Sequence, residues 1–400
     1  MTQPTALKRS LSLTQMVLYG VGTTVGAGIY ALVGEITGES GYLAPWAFLM
    51  AAALAAFTAL SYAQLSARFP RAAGAALYVQ EGLGLPRLAQ LVGLLVVLAG
   101  VVSSAALLNG FVGYLQEFVD LSRAVIIVAA GVVLCAVAIW GISESVWIAG
   151  IISVVEVLGL IWIITLASEA VDFSAVEVQP FLPSFSFDDW SMVFAGAVLA
   201  FYAYIGFEDM VEVAEEVRNV ERNLPRAILL TLFLSTVIYI ALIFSTVLAV
   251  GPERLAQSSA PLADVYRHLT GSDPTVISFI GLFAIINGAL IQVIMASRVL
   301  YGLASRGQLP SFFAHVNGYT RTPLPATVTM GAAVTALALS GTLAGLAELT
   351  SVTMLCIFAL VNFSLCRLLW RDKPMNAALG LAGGIICTGV AARAVYLWMG

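Results

Sequence analysis

Of the 400 residues, 60% are hydrophobic and only 10% charged, with 18 basic and 23 acidic side chains and a mean hydropathy of +0.97. Soluble proteins carry roughly 25% charged residues, so this chain cannot cover a water-facing surface of its size. Disorder, collagen, a disulfide scaffold and a soluble nucleic-acid binder are excluded, which leaves an all-α polytopic membrane protein.

A spanning helix needs about 20 mostly apolar residues. In chain order, eleven stretches qualify: about 12–34, 42–67, 88–118, 122–141, 147–168, 190–215, 226–250, 275–303, 326–343, 347–369 and 377–398. No segment shows the apolar/polar alternation of a membrane β-strand. Lys8 and Arg9 precede the first apolar run as they would in a signal peptide. That run is too long and too rich in glycine, without a small-residue cleavage site, and is expected to be a retained helix. Cys135, Cys356, Cys366 and Cys387 all fall in apolar stretches and read as buried thiols.

With the N-terminus cytoplasmic, fourteen basic residues fall on the inner side and only Arg123, Arg254, Arg267 and Arg393 fall outside. This follows the positive-inside rule and predicts a multi-pass protein of the cell's inner (plasma) membrane. The 169–189 loop, with five acids and no base, belongs outside, as does Gly400. The longest connecting segments are about twenty residues, so 1–400 is read as a single transmembrane domain and no enzyme is expected.

The first span contains Gly20–Tyr30, GVGTTVGAGIY, with Gly20, Gly22, Gly26 and Gly28 inside nine residues. Each glycine costs a helix about 1 kcal/mol relative to alanine. Close helix packing accounts for Gly22 and Gly26; the Gly26-Ala27-Gly28 cluster near mid-membrane predicts an unwound segment. The sixth span is interrupted at Phe201–Phe207, FYAYIGF, followed at once by Glu208 and Asp209. Acids inside an apolar span are costly and mark a function or a partner.

Interrupted segments at the same ordinal position in two blocks of five point to inverted-topology repeats in a transporter. The halves are expected at about 12–170 and 190–370, with 377–398 as an added helix. An unwound stretch frees backbone groups that lipid cannot satisfy. The N-terminus of a half-helix suits a carboxylate, and freed carbonyls suit an ammonium group. Two adjacent breaks therefore suit a zwitterionic α-amino acid.

GVGTTVGAGIY, SYAQLSARFPRAAGAALY (Ser61–Tyr78), FYAYIGFEDMVEVAEEVRNVERNLPRA (Phe201–Ala227), ASRVLYGLASRGQLPSFFAHVN (Ala296–Asn317) and TRTPLPA (Thr320–Ala326) together resemble the amino acid–polyamine–organocation superfamily. The resemblance covers spans one to ten in order. It implies a LeuT-type 5+5 inverted-repeat fold with broken helices 1 and 6, and amino acid transport by alternating access through proton-coupled symport or exchange. It also implies a substrate site formed by the Val25, Gly26, Ala27, Gly28 and Ile29 backbone for the carboxylate, and by Tyr202, Ala203, Tyr204 and Ile205 for the ammonium and side chain. The chain departs from the family pattern at Gln64, where glutamate is common, at Val220, where proline is common, and in having eleven spans rather than twelve.

Glu156 lies mid-span in IISVVEVLGLIWII and reads either as a proton-coupling carboxyl or as a structural hydrogen-bonding group. Some proton-coupled relatives carry lysine at the matching point. Glu208 reads as a gate or as the cap of the second half-helix. Asn287 and Gln292 in span eight, and Ser103 and Ser104 in span three, face the cavity or neighbouring helices. His268 and His315 are too isolated for a metal pair. No cofactor is expected beyond a coupling ion, a proton or else sodium. The expected partners are a small-molecule amino acid, read as neutral from the scarcity of acids in the breaks, and membrane lipid, with no nucleic acid, in a monomer or homodimer. Sodium-coupled, cation–chloride or polyamine transport on the same fold is the alternative function.

Overall fold

A computed structural model describes residues 9–71, 74–140, 146–172, 174 and 176–399. Among them, regular structure is helical apart from one isolated bridge between Leu11 and Val217. In chain order the helices are α1 (Leu13–Thr24), α2 (Ala27–Ser40), α3 (Ala44–Arg68), α4 (Gly74–Leu83), α5 (Pro86–Gln116), α6 (Arg123–Trp140), α7 (Val146–Ala170) and α8 (Phe187–Tyr204). After a 3-10 helix at Phe207–Glu216 come α9 (Val220–Val250), α10 (Pro252–Gln257), α11 (Pro261–Thr270), α12 (Thr275–Ser305), α13 (Leu324–Ser340), α14 (Leu343–Leu369) and α15 (Pro374–Met399).

Helix starts follow local chemistry. Ser12 caps α1 in a reciprocal box with Gln15, whose side chain accepts from the Ser12 amide at 3.0 Å. Pro45, Pro86 and Pro325 sit in the first turns of α3, α5 and α13, where a missing N–H is harmless.

Each expected span has a helical counterpart, but nine described helical runs, not eleven, are long and apolar enough to cross a membrane alone. The first span is cut into α1 and α2, of 12 and 14 residues, and α2 continues through a tight turn into α3. Helix α13 has only 17 residues. Helices α4, α10 and α11 were not foreseen, because the sequence there lacks a full-length apolar run.

The packing repeats with a period of five spans. Span 2 (α3) packs on span 7 (α9), span 3 (α5) on span 8 (α12), and span 4 (α6) on span 9 (α13). The contact of span 1 with span 7 is mirrored by that of span 6 with span 2, and the contact of span 1 with span 5 by that of span 6 with span 10. Hydrogen bonds at both faces join the broken spans into one unit. At the N-terminal face, the Ser10 and Leu11 amides donate to the Glu216 carbonyl and the Arg218 amide donates to Leu11. At the far face, the Ser40 hydroxyl donates to the Met192 carbonyl at 3.0 Å.

The eleventh span, α15, is fastened by Asn362 of α14. Its amide accepts from Ser61 at 2.5 Å, donates to Thr58 at 2.9 Å and meets the Cys387 sulfur at 3.8 Å. Four groups from α3, α14 and α15 thereby satisfy one another inside an apolar bundle, where an unpaired amide is costly. Cys387 is buried and Cys356 exposed, a correction to the expectation that all four thiols are buried. Cys356 lies on an outward face of α14, and apolar surroundings in a membrane protein include lipid.

Candidate functional site

The two breaks are shorter than the sequence indicated and they touch. Span 1 leaves the helix only at Val25 and Gly26, where Gly26 has φ −116° and ψ −126°. Gly28 is already helical, within the first turn of α2, which corrects the expectation of a longer unwound run. The small side chains there serve close approach instead: a Cβ on Gly28 would lie 3.1 Å from the Ala203 Cα and 3.3 Å from the Tyr202 ring. Span 6 breaks at Ile205 and Gly206, and Gly206 takes φ +128°, a conformation L side chains rarely adopt.

The ten residues after this break form a 3-10 helix rather than an α-helix. Runs this long are uncommon and often mark hinges or strain. Glu208 turns back to accept from the Gly206 amide at 2.8 Å, so its carboxyl caps the second half-helix. Thr23 donates to both the Gly20 and Gly206 carbonyls at 3.0 Å, tying one break to the other.

Between the breaks lies a cavity of about 60 Å³. Its wall includes Gly26, Ala27 and Gly28 of span 1, Tyr202, Ala203, Ile205 and Asp209 of span 6, Ser103 of span 3, Glu156 of span 5, and Asn287 and Gln292 of span 8. The Ala27 and Gly28 amides belong to the first turn of α2, whose N–H groups lack intrahelical partners. Gly26 makes no side-chain cap there, so the helix end is open to a ligand. Asn287 and Gln292 add amide donors and acceptors engaged in no hydrogen bond among the described residues.

Glu156 is buried, and its Oε2 lies 3.4 Å from where a Gly26 Cβ would sit. Its backbone carbonyl accepts from the Tyr30 hydroxyl at 2.7 Å, and the Tyr30 carbonyl accepts from Tyr114 at 3.1 Å. This chain of contacts links spans 5, 1 and 3. Among the described residues, the wall thus carries two carboxyl groups, Glu156 and Asp209, and no Lys, Arg or His. One probe-sized water needs about 10–15 Å³, so this state holds on the order of four waters, and a larger ligand requires opening.

Not every expected residue reaches the cavity. Val25 and Ile29, expected to contribute backbone, are fully buried and are not among the cavity's lining residues. Tyr204 turns away, donating to the Phe48 carbonyl at 3.3 Å and packing edge-on to Tyr239. The physical reason is that α8 stays helical through Tyr204, so residues two apart face different sides. Tyr202 does face the cavity and pairs with the Ser103 hydroxyl at 2.8 Å. Tyr202→Phe is therefore expected to raise the apparent KM for the transported substrate several-fold. Tyr204→Phe, by contrast, should leave KM near wild type; an equal effect of the two in uptake assays would place Tyr204 at the substrate.

Tyr239 of α9 is a functional candidate that sequence reasoning missed, whereas Asp209, singled out there only as a costly acid, lines the cavity. The Tyr239 hydroxyl lies 2.6 Å from the Thr24 carbonyl and 2.7 Å from the Ala203 carbonyl, which the two breaks set free. One O–H proton thus serves two acceptors, one from each broken span. The only signal was a lone tyrosine in the apolar run VIYIALIF. Removing its hydroxyl leaves two buried carbonyls short of a donor, at roughly 1–3 kcal/mol. Tyr239→Phe is expected to slow uptake at least tenfold, with protein yield within about twofold of wild type. Uptake at the wild-type rate would show that water satisfies both carbonyls.

Packed layers flank the broken spans on both sides. Toward the N-terminal face, Tyr62, Phe201, Phe207 and Phe358 pack edge-on or tilted with ring centroids 5.6–6.0 Å apart. Toward the far face, α10 and α11 form a lid so close to α2 that a Cβ on Gly34 would lie 2.7 Å from the Leu255 carbonyl. Arg267 of the lid pairs with Glu117 at the end of α5, and Arg254 with Asp264 at 2.8 Å. Among the described residues, no cluster of His, Cys, Asp and Glu is fit to hold a metal ion.

Comparison with known proteins agrees with this architecture. A vacuolar cationic amino acid transporter of Arabidopsis thaliana is 30% identical over 93% of this chain and 64% of its own length. A cationic amino acid transporter of Homo sapiens is 30% identical over 95% of this chain and 63% of its own length. An uncharacterized transporter of Mycobacterium tuberculosis is 29% identical over 99% of this chain and 91% of its own length. The chain thus spans less than two thirds of the plant and human relatives, all of which are named as transporters rather than enzymes. The amino acid permease family model matches residues 11–398, nearly the whole chain with both broken spans and the cavity between them, and the protein belongs to that family.

Proposed function

We propose that this protein is a secondary active transporter that moves an α-amino acid across the membrane by alternating access. The observation that carries this reading is the cavity where two broken helices meet. It offers free amides at the start of α2, carbonyls at the ends of α1 and α8, and the amide groups of Asn287 and Gln292. A ligand with a carboxylate and an ammonium matches both polarities. The five-span periodicity of the packing supports two inverted halves, which move against each other around a fixed site.

For the substrate side chain, the acids on the wall favour a cation. Glu156 and Asp209 both line the cavity, and the plant and human relatives are named for cationic amino acids. An uncharged side chain is the second reading, favoured by the small cavity and the Tyr202 ring at its wall. Coupling is assigned to a proton, carried by Glu156. The orientation with the N-terminus inside rests on the distribution of arginine and lysine.

The deciding experiment is counterflow of each of the twenty amino acids into proteoliposomes, with and without proton and sodium gradients. Exchange of at least one amino acid, accelerated by a proton gradient alone, is the expected result. No exchange of any amino acid under any gradient would overturn the reading. Exchange confined to lysine, arginine and ornithine would select the cationic substrate, and exchange confined to alanine-sized or aromatic amino acids the uncharged one.

A further inference from the structure

On the other side of Glu156 lies a second, larger space. A groove of about 680 Å³ runs between α12 on one side and α6 and α7 on the other. Its walls are apolar, with Val133 and Val137 from α6, Val155 from α7, and Phe279, Phe283 and Leu290 from α12. Glu156 and Asn287 are its polar members, and both also line the transport cavity. These two side chains are therefore the wall between the two spaces.

The groove faces out of the bundle. Val133, Val155, Phe279 and Phe283 are 56%, 46%, 47% and 65% exposed, all within helices long and apolar enough to span a membrane. Aqueous solutes do not reach such a surface; hydrocarbon does. The groove extends from Val276 to Leu290 along α12, about 21 Å at 1.5 Å per residue, so it is long and narrow rather than round. The packing of the two halves differs at this place. Span 10 packs closely along span 3, whereas its counterpart, span 5, stands off from span 8. Among the described residues, no positively charged side chain lines the groove to hold a headgroup. Its occupant is chosen by hydrocarbon burial, at roughly 25 cal/mol per Å² of apolar surface covered.

We propose that this groove holds the acyl chain of a membrane lipid, and that the chain regulates transport by backing the wall formed by Glu156 and Asn287. A chain in the groove keeps the rear of that wall dry and limits how far α7 can close on α12. Labelling tests the binding itself and does not depend on the proposed substrate or coupling ion.

The experiment reconstitutes the protein in vesicles containing a phosphatidylcholine with a diazirine at its acyl terminus. After irradiation, labelled peptides are mapped by mass spectrometry. Labelling of the groove peptides of α6, α7 and α12 is expected to exceed, at least fivefold, that of the equally exposed stretch of α9 around Phe233 and Val237. Val155→Trp, which fills the groove, should reduce groove labelling at least fivefold. Val132→Trp, on an exposed position that does not line the groove, should not. Even labelling of groove and α9 overturns the proposal, and so does unchanged groove labelling in Val155→Trp. Should Val155→Trp not fold, Val133→Phe provides the same comparison. For regulation, uptake is measured in vesicles of straight-chain and of methyl-branched lipid, whose chains are wider. A response in the wild type that is at least threefold larger than in Val155→Trp supports control by the bound chain. Equal responses remove it.

Discussion

Gly206→Ala is expected to abolish transport while leaving a folded but less stable protein. Gly206 holds φ +128°, and conformations confined to glycine cost other residues about 1–3 kcal/mol each. The added methyl would also strike the Thr23 carbonyl, which is backbone and cannot rotate aside. The substitution therefore acts on both breaks at once, by pushing span 1 away from span 6 at the point where Thr23 bridges them. Uptake in proteoliposomes should fall at least a hundredfold, and the unfolding temperature of the purified protein should drop. The control is Gly302→Ala, whose Cβ position is open. If Gly206→Ala transports within threefold of wild type, the contact between the breaks is not needed for alternating access.

Glu156→Gln is expected to separate transport from its driving force. A charged acid at a helix centre costs about 2.5–3.5 kcal/mol on insertion scales, and protonation removes most of that cost. In the present state Glu156 is buried beside Gly26. Under the proposed proton coupling, opening one side of the cavity lets water reach the carboxyl and the proton leave to that side, and reloading from the other side gives direction. Glutamine mimics the protonated carboxyl in size and neutrality. Exchange of labelled for unlabelled substrate should persist within about fivefold, while accumulation driven by a proton gradient should fall to the level of equilibration. If the variant still concentrates substrate with only a proton gradient supplied, the coupling group is elsewhere. Asp209 is then the next candidate, because it also lines the cavity. Glu208 is already committed to the Gly206 amide.

These two residues show the division between what the sequence dictated and what the fold decided. The order of the apolar segments, helix type and the location of both breaks were legible in the sequence because a membrane forces them. Twenty apolar residues in a row have no other stable state in lipid, and glycine clusters or paired acids in such a run must interrupt it. Glu156 stood out for the same reason: a mid-span carboxyl is conspicuous whatever surrounds it.

The extent of the breaks was not legible. Helix persisted through Gly28 and Tyr204 because neighbouring spans supplied packing that local propensity does not register. Tyr204 consequently turned away from the cavity while Tyr202 faced it. Asp209 joined the site through the 3-10 helix that follows Gly206, whose geometry no pattern of apolar residues specifies. Tyr239 escaped notice because its importance lies in two carbonyls far away in sequence, at Thr24 and Ala203. Composition and periodicity decide which segments enter the membrane, since each segment meets lipid on its own account. Which side chains share one cavity depends on contacts between segments more than two hundred residues apart, and only the packed bundle brings those together.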